Sequence, residues 1–304
     1  MTSRSYRSAA GEVNLLVRSD GTLFMLDDQY TRAVMGGSGR RSMPTRAYYS
    51  QETNDRVVKQ VTTGYGFEPR TIELQWTYQG NNRTTFLDFL DRFIEFIRPN
   101  GNYTYALRNV RPDGRTRQID VRLTSDLFMD EFTLGSRGLD EALQFMADDP
   151  RWYNPTLISV AVNDALTSGF GFPVGFPVGF ATGHLQENIT YGGNAETHPI
   201  LTLTGPFQAA AVYNNSIDQS IWITGALDAG DTLVIDLDPS ATTARRQDGA
   251  DYYLYLNDSN LPAFVLSPAT STVTGGINNI SFYAESYTSA TTLTVSYYER
   301  YLNL

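Results

Sequence analysis

The chain has 304 residues, 41% of them hydrophobic, enough for a substantial core and better suited in length to two domains than to one. It contains no cysteine, which excludes disulfides, zinc–thiolate sites and thiol nucleophiles. The formal charge of −10 is unevenly placed: through Arg151, 20 Lys and Arg face 20 Asp and Glu, whereas from Trp152 onward only Arg245, Arg246 and Arg300 face 13 acids. An acidic half repels phosphate backbones, and the arginines of the first half are interleaved with acids, so nucleic acid is excluded as a tight partner. The opening MTSRSYRSAAGEV lacks the apolar core of a signal peptide, and no stretch approaches the roughly 18 apolar residues of a membrane span. A soluble protein made in a cytoplasm is the expectation.

In chain order, Val13, Leu15 and Val17 alternate with more polar neighbours, Asp20-Gly21 supplies a turn, and Thr22 to Leu26 runs back, which predicts a hairpin. The polar, Gly-rich RAVMGGSGRRSMPTR at 32–46 reads as a long loop. VVKQVTT and PRTIELQWTYQG read as strands, the second alternating Ile72, Leu74 and Trp76 with Glu73 and Gln75. TTFLDFLDRFIEFIRPNG predicts a helix: Phe86, Phe89/Leu90, Phe93 and Phe96/Ile97 form one stripe, and Asp88, Asp91, Arg92, Glu95 and Arg98 take the other face. Thr84 or Thr85 can cap its start, and Pro99-Asn100-Gly101 stops it. Such an aromatic stripe reads as core rather than cofactor pocket. YTYALRNV and RQIDVRLTSDLFM follow as strands joined by Pro112-Asp113-Gly114. GLDEALQFMADDPRW fits either a helix, by propensity, or a strand, by the shared parity of Leu143, Phe145 and Ala147.

At the junction of the two halves stands GFGFPVGFPVGF, residues 169–180. Phe170, Phe172, Val174, Phe176, Val178 and Phe180 share one parity; the glycines and prolines share the other. An extended chain would therefore carry every bulky apolar group on one face. Two prolines exclude a helix and remove amide donors from a single lateral edge. The pattern fits an edge strand or extended strap on a hydrophobic surface, with Phe172, Phe176 and Phe180 as its structural anchors; a flexible linker and a membrane-seeking peptide are the alternatives. Beyond it, short β-rich runs (ILTLT, AAAVYN, SIWIT, TLVIDL, DYYLYL, AFVL, ISFYAES, TLTVSYYERYL) alternate with turns at Asn214-Asn215, Ala229-Gly230-Asp231 and Gly275-Gly276. Their spacing predicts a β-sandwich or jelly roll, so the chain reads as α+β first and all-β second.

Chemistry finds little support. His184 and His198 lack a ligand spacing and have no cysteine partners, so they read as loop or surface residues. A Ser-His-Asp device needs one of them, and no G-x-S-x-G elbow occurs. The carboxylate pairs Asp130-Glu131, Asp148-Asp149 and Asp236/Asp238 are no denser than composition supplies, although Asp236 and Asp238 at a strand end could hold calcium. No cofactor, metal or catalytic residue is expected. Tyr213, Trp222, Tyr252, Tyr253, Tyr255, Tyr283, Tyr287, Tyr297, Tyr298 and Tyr301 could stack on sugars where exposed, which makes a carbohydrate-binding adhesin the alternative function.

NAETHPILTLTGPF, VYNNSIDQSIWITGALDAGDTLVIDL and GGINNISFYAESYTSATTLTVSYYERYL, in that order, resemble the distal tail proteins of phages with long non-contractile tails. The resemblance rests on Pro199 and Gly205, Asn214, Gly230-Asp231 with Ile235-Asp236, Gly276 with Asn278 and Asn279 before Ile280-Ser281-Phe282, and Arg300-Tyr301. Asp-Pro-Arg-Trp-Tyr at 149–153 is similar to the end of that family's first domain. The resemblance implies a mainly β protein: an N-terminal α+β ring-forming domain over 1–160 (a β-sandwich or split barrel with one helix), a connecting strand over 161–185, and a C-terminal galectin-like β-sandwich over 186–304. It implies a structural role without catalysis, as a homohexameric ring at the distal end of the virion tail, assembled in the host cytoplasm. Its partners would be the tail tube protein, the hub or tip protein and receptor-binding or fibre proteins, with DNA passing the lumen without specific binding. Arg40, Arg41 and Arg46 are the candidate subunit-interface residues.

Overall fold

A computed structural model describes residues 12–27, 31–36, 44, 46–53, 59–79, 83–97, 103–124, 138–162, 183–257, 261–286 and 288–304. Side chains are described across these ranges except at 31–36, 46–66, 75–79, 83, 86, 138–142, 183, 184 and 257. The chain divides into two compact units, Met1–Pro155 with Tyr301–Leu304, and Thr156–Arg300.

The first unit opens with the expected hairpin, β1 (Val13–Arg18) and β2 (Leu23–Met25), closed around Gly21 at a φ of 84°. Thr22 N–H donates to Asp20 Oδ1 at 2.9 Å, which holds the turn. Next come β3 (Thr31–Gly36), β4 (Arg46–Thr53), β5 (Lys59–Phe67), β6 (Arg70–Gln79) and the helix α1 (Arg83–Phe96). After the helix come β7 (Tyr105–Val110), β8 (Thr116–Leu123), β9 (Gly138–Ala147) and β10 (Trp152–Tyr153). The main sheet runs β2-β1-β7-β8-β9-β6-β3, while β4 and β5 form a separate two-stranded ribbon.

Two expectations are corrected in this unit, and one left open between helix and strand is decided. The first part of the anticipated 32–46 loop is β3, an edge strand paired with β6 from Thr31↔Tyr78 to Gly36↔Glu73. Its apolar run, Ala33 to Met35, is too short to show a period, and the glycines beyond it dominate a local reading. The ambiguous segment before Asp148 is strand β9: its ten residues pair with β6, and that long-range ladder outweighs local helix propensity. The helix begins at Arg83, so Thr84 and Thr85 lie inside its first turn rather than capping it.

α1 follows its sequence stripe. Phe89, Leu90, Phe93 and Phe96 are buried, and Asp88, Asp91, Arg92 and Glu95 are exposed. The buried face joins one core with Leu16, Leu107, Ile119, Ile72, Leu74 and Phe145 of the sheet. Phe24 of β2 sits with its ring centroid 5.1–5.6 Å from those of Phe89, Phe93 and Phe96, within the range of favourable tilted aromatic pairs.

The second unit holds β11 (Ile158–Val162), β12 (Gly183–Thr190), β13 (Ile200–Thr204), β14 (Ala210–Asn214) and β15 (Gln219–Ile223). It continues with β16 (Thr232–Asp236), β17 (Thr243–Arg246), β18 (Leu256–Asn257), β19 (Ile277–Ala284) and β20 (Thr292–Tyr297). Two five-stranded antiparallel sheets result, β11-β20-β13-β16-β17 and β12-β19-β14-β15-β18. Inward residues of both, such as Leu201, Leu233 and Val295 from the first and Val212, Ile221 and Phe282 from the second, belong to one core. The unit is a β-sandwich, and the chain as a whole is mainly β with one α-helix among the described residues.

Two of the predicted strand runs are corrected here. DYYLYL contributes only β18 at its end; Tyr253–Tyr255 form a 3₁₀ turn. AFVL follows another such turn, Leu261–Ala263, and contributes a single bridge from Leu266 to Thr197. In both, composition imitates a strand, but pairing reaches only the ends of the run: Asp251 bridges Arg245 and Leu256 pairs Ile223 on either side of the 3₁₀ turn, and AFVL is held by its one bridge.

The closing strand β21 (Arg300–Tyr301) pairs β10, and the last four residues belong to the first unit. Leu304 is buried in the first core. Arg70 Nη2 donates to the Leu302 carbonyl at 3.0 Å, and Arg117 Nη1 donates to that of Asn303. The Arg117 guanidinium also lies 3.8 Å from the Tyr301 ring centroid. Burial lowers the pKa of both arginines, and the carbonyls and the ring face offset part of that cost.

Candidate functional site

Three of the motif residues of the second unit, Asn214, Gly276 and Asn278, meet in an internal polar cluster. Asn214 and Asn278 are both fully buried. Asn278 Nδ2 donates to the carbonyls of Ser267 (2.9 Å) and Gly276 (3.0 Å), while its Oδ1 accepts from Ser267 N–H (2.9 Å) and Asn214 Nδ2 (3.2 Å). Asn214 Nδ2 also donates to the Val265 carbonyl at 2.8 Å. The cluster thus ties the irregular 265–267 segment to β14 and β19 and satisfies the Val265 carbonyl and the Ser267 N–H and carbonyl, which no ladder reaches. Gly276 sits at a φ of 72°, and a Cβ there would stand 2.5 Å from the Tyr191 carbonyl oxygen, so glycine is required on both counts. These residues build the sandwich; they do not form a reaction centre.

The Asp-Pro-Arg-Trp-Tyr stretch is likewise structural. Trp152 is fully buried in the first core. Tyr153 Oη donates to Asp120 Oδ1 (2.7 Å) and accepts from Gln118 Nε2 (2.6 Å), and Arg151 forks onto Asp149 at 2.8 and 3.0 Å.

The titratable candidates are dispersed. His198 Nε2 lies 3.2 Å from the Pro262 carbonyl oxygen; His184 is the second residue of β12, with its side chain outside the described set. Asp148 pairs with Arg122 at 3.1 Å. Asp236 Oδ1 accepts from Asp238 N–H (3.0 Å), and Asp238 Oδ1 accepts from Ser240 N–H (2.9 Å) and Oγ (2.7 Å). The two carboxylates therefore terminate a turn, and among the described residues no group of three His, Asp or Glu is placed to hold a metal ion. Asp130-Glu131 lies outside the described residues, as do the interface candidates Arg40 and Arg41 and the connector residues Phe172, Phe176 and Phe180. Arg46 opens β4, with its side chain not described.

What remains are surfaces. Beside β2 and α1 an open groove of about 550 Å³ is lined by Arg18, Leu23, Phe24, Phe89, Glu95 and Tyr103. Arg18 shapes its rim: Nε and Nη2 fork onto the Asp20 carboxylate at 2.7–3.1 Å, and its guanidinium lies 4.4 Å from the Tyr103 ring centroid. The Arg18 hydrogen bonds, with those of Thr22, hold the Asp20 carboxyl well below the usual carboxylate range. On α1, Leu87 and Ile94 are exposed one above the other at a spacing of seven. In the sandwich, burial divides the aromatics that sequence alone left undivided. Tyr252 and Tyr297 are buried; Trp222, Tyr253, Tyr255 and Tyr283 are exposed, and Tyr287 lies outside the described residues. Among the described residues no helix is long and apolar enough to cross a membrane.

A two-sheet sandwich following a helix-backed sheet, with the chain end returned to the first unit, defines a class of mainly β, two-unit proteins. No family model and no curated protein matches the chain. A solved structure that shares its fold is the Dit protein (gp 19.1) of phage SPP1, described as a paradigm of the hub adsorption apparatus in phages infecting Gram-positive bacteria. The TM-score is 0.58 at 14% identity, over 95% of this chain and 99% of that one. The chain is therefore Dit-like in fold across nearly its whole length. Two structures of the phage P2 baseplate in its activated conformation, with Ca and with Sr, give TM-scores of 0.49 and 0.47. Each is 10% identical over 94% of this chain and 97% of the other, and neither adds to the fold assignment.

Proposed function

We propose that this chain is a structural component of a phage tail tip, a homohexameric ring that joins the tail tube to the hub and the receptor-binding parts. The carrying observation is the Dit-like fold, shared along both units with a protein of a phage adsorption apparatus. In this reading the N-terminal domain, over about 1–160, closes the ring; the segment 161–185 connects; and the sandwich over 186–304 projects outward. Physical features support the assignment. The main sheet of the first unit ends in two edge strands, β2 and β3, and the open groove and the exposed Leu87 and Ile94 lie on the same unit. A ring of identical subunits needs such non-identical patches, one to meet the other on the neighbour. The near-neutral charge of the first half suits close self-association, whereas six sandwiches carrying the acidic excess repel one another and sit apart. Arg40, Arg41 and Arg46 supply charged forks for the subunit contacts, and Phe172, Phe176 and Phe180 anchor the connector. Its partners are tail tube, hub and fibre proteins, its place is the distal end of the virion tail, and its role is structural rather than catalytic. Electron microscopy of the purified full-length chain tests this directly: six-fold rings with an open lumen are expected, and a monodisperse monomer at tens of micromolar protein would overturn it.

A further inference from the structure

The two outer faces of the sandwich differ in kind. On the β11-β20-β13-β16-β17 sheet the outward positions are mostly Ser and Thr, with Val234, Asp236 and Arg245 and no aromatic ring. On the β12-β19-β14-β15-β18 sheet they are mostly aromatics, amides and hydroxyls, with Ala211 and the exposed Ile277; among the described side chains at these strand positions, none is Asp, Glu, Lys or Arg. An uncharged face of this size is a departure in a half-chain whose acids outnumber its arginines 13 to 3.

The face has internal order. Ala211 is in register with Trp222 on one side and Tyr283 on the other, so these two exposed residues stand two strand spacings apart, about 10 Å. Between them, one pleat further along β14, the Tyr213 ring meets both edge-on, at 5.6 Å to Trp222 and 5.4 Å to Tyr283, with interplanar angles of 80° and 90°. This packing restricts the rotamers of the exposed rings, which lowers the entropy lost when a ligand settles on them. Beyond Tyr213 runs a cross-strand polar ladder. Asn215 Nδ2 donates to Asn279 Oδ1 and to Ser281 Oγ, each at 2.7 Å, and Asn279 Nδ2 donates to Asn188 Oδ1, also at 2.7 Å.

We infer that this face is a binding site for a neutral saccharide, with Trp222 and Tyr283 as stacking platforms and the Asn215–Asn279–Asn188 ladder as the hydrogen-bonding flank. The chemistry matches feature by feature. The axial C–H groups of a pyranose are apolar and electropositive and settle against the negative face of an aromatic ring. Ring hydroxyls both donate and accept, as do side-chain amides and hydroxyls. The platform separation is close to the length of two linked pyranose rings. Outward strand positions without Asp, Glu, Lys or Arg among the described side chains favour a neutral occupant, since they offer no cation to an acidic glycan and no anion to a basic peptide; the carboxylates Glu187 and Glu285 stand at the edge and end of the sheet. The inference rests on the sandwich alone and does not depend on the tail-ring reading.

The test uses the full-length chain and its Trp222→Ala, Tyr283→Ala and Val234→Ala variants. Titration calorimetry is run with neutral glucose, galactose and N-acetylglucosamine oligosaccharides, and with oligogalacturonate as the charged counterpart. At least one neutral oligosaccharide is expected to bind the unaltered chain, with affinity unchanged over a tenfold range of salt. Trp222→Ala and Tyr283→Ala should each weaken binding roughly tenfold or more, while Val234→Ala, on the opposite outer face, leaves it unchanged. Unchanged melting temperatures establish that the variants are folded; Trp222→Phe, which keeps a ring, should retain part of the affinity. The inference fails if no neutral oligosaccharide binds the unaltered chain, or if Val234→Ala weakens binding as much as Trp222→Ala. A Trp222→Ala variant that changes the mass measured by light scattering, with no effect on saccharide, reassigns the face to a protein contact and overturns the proposal.

Discussion

Asn278 is a small residue with a large structural share. Four of its hydrogen bonds end on groups buried with it, and two of them meet the N–H and carbonyl of Ser267, which no strand pairing satisfies. Because an orphaned buried polar group costs roughly 1–3 kcal/mol, Asn278→Ala should destabilise the sandwich by about 3 kcal/mol in urea unfolding. Asn279→Ala, whose side chain faces outward, should stay within about 1 kcal/mol, and equal losses would show that burial is not the cause. Asp20 makes a prediction about pH. Its carboxyl is held below the ordinary carboxylate value by Arg18, so its contribution is complete above the unfolded value near ~4 and declines as pH falls below it. Wild type should therefore melt above Asp20→Asn at pH 7, with the gap narrowing by about pH 3. A gap that widens on acidification would contradict the Arg18–Asp20 origin.

At the scale of elements, α1 tests how far periodicity carries energy. Phe93 is fully buried and packs on Phe24, whereas its neighbour Ile94 is exposed. Phe93→Ala should cost about 3–5 kcal/mol and Ile94→Ala within about 0.5 kcal/mol, read from denaturant midpoints at constant slope. The helix was legible because one face is apolar at the helical period. β3 was not, because its short apolar run has meaning only beside β6. The mismatch at Tyr253–Tyr255 has the opposite origin: a strand-like run is paired on one side by β17 at Asp251 and on the other by β15 at Leu256, and the chain turns as it passes between them.

For the whole molecule, the return of the last four residues is the feature with the widest reach. Removing Tyr301–Leu304 uncovers part of the first core, strips two arginines of carbonyl acceptors and takes the ring from over Arg117. The first unit should lose about 3 kcal/mol or more, from the transfer of Leu304 and the unmet guanidinium donors together. Hydrogen exchange locates the effect: faster exchange across residues 70–123, unchanged protection across 200–297. Equal acceleration in both units would mean that the tail braces the chain globally rather than the first unit alone.

The amino-acid sequence by itself determined the class of each half, the positions of α1, β13, β14, β16 and β19, and the turn at Asp20-Gly21. In those places the decisive signal is local: apolar residues recur at the period of the element, and glycine or asparagine stands where the chain must reverse. It also narrowed the chemistry by residue type, since the chain has no cysteine and only two histidines. Tertiary structure alone decided which aromatics are buried and which form an exposed row, because alternation sorts residues by face without saying which face is covered. It decided that Asn214 and Asn278, 64 positions apart, share a hydrogen bond, and that the end of the chain completes the unit in which the chain begins. Such facts depend on contacts between distant segments, and no local period records which segment will supply the partner.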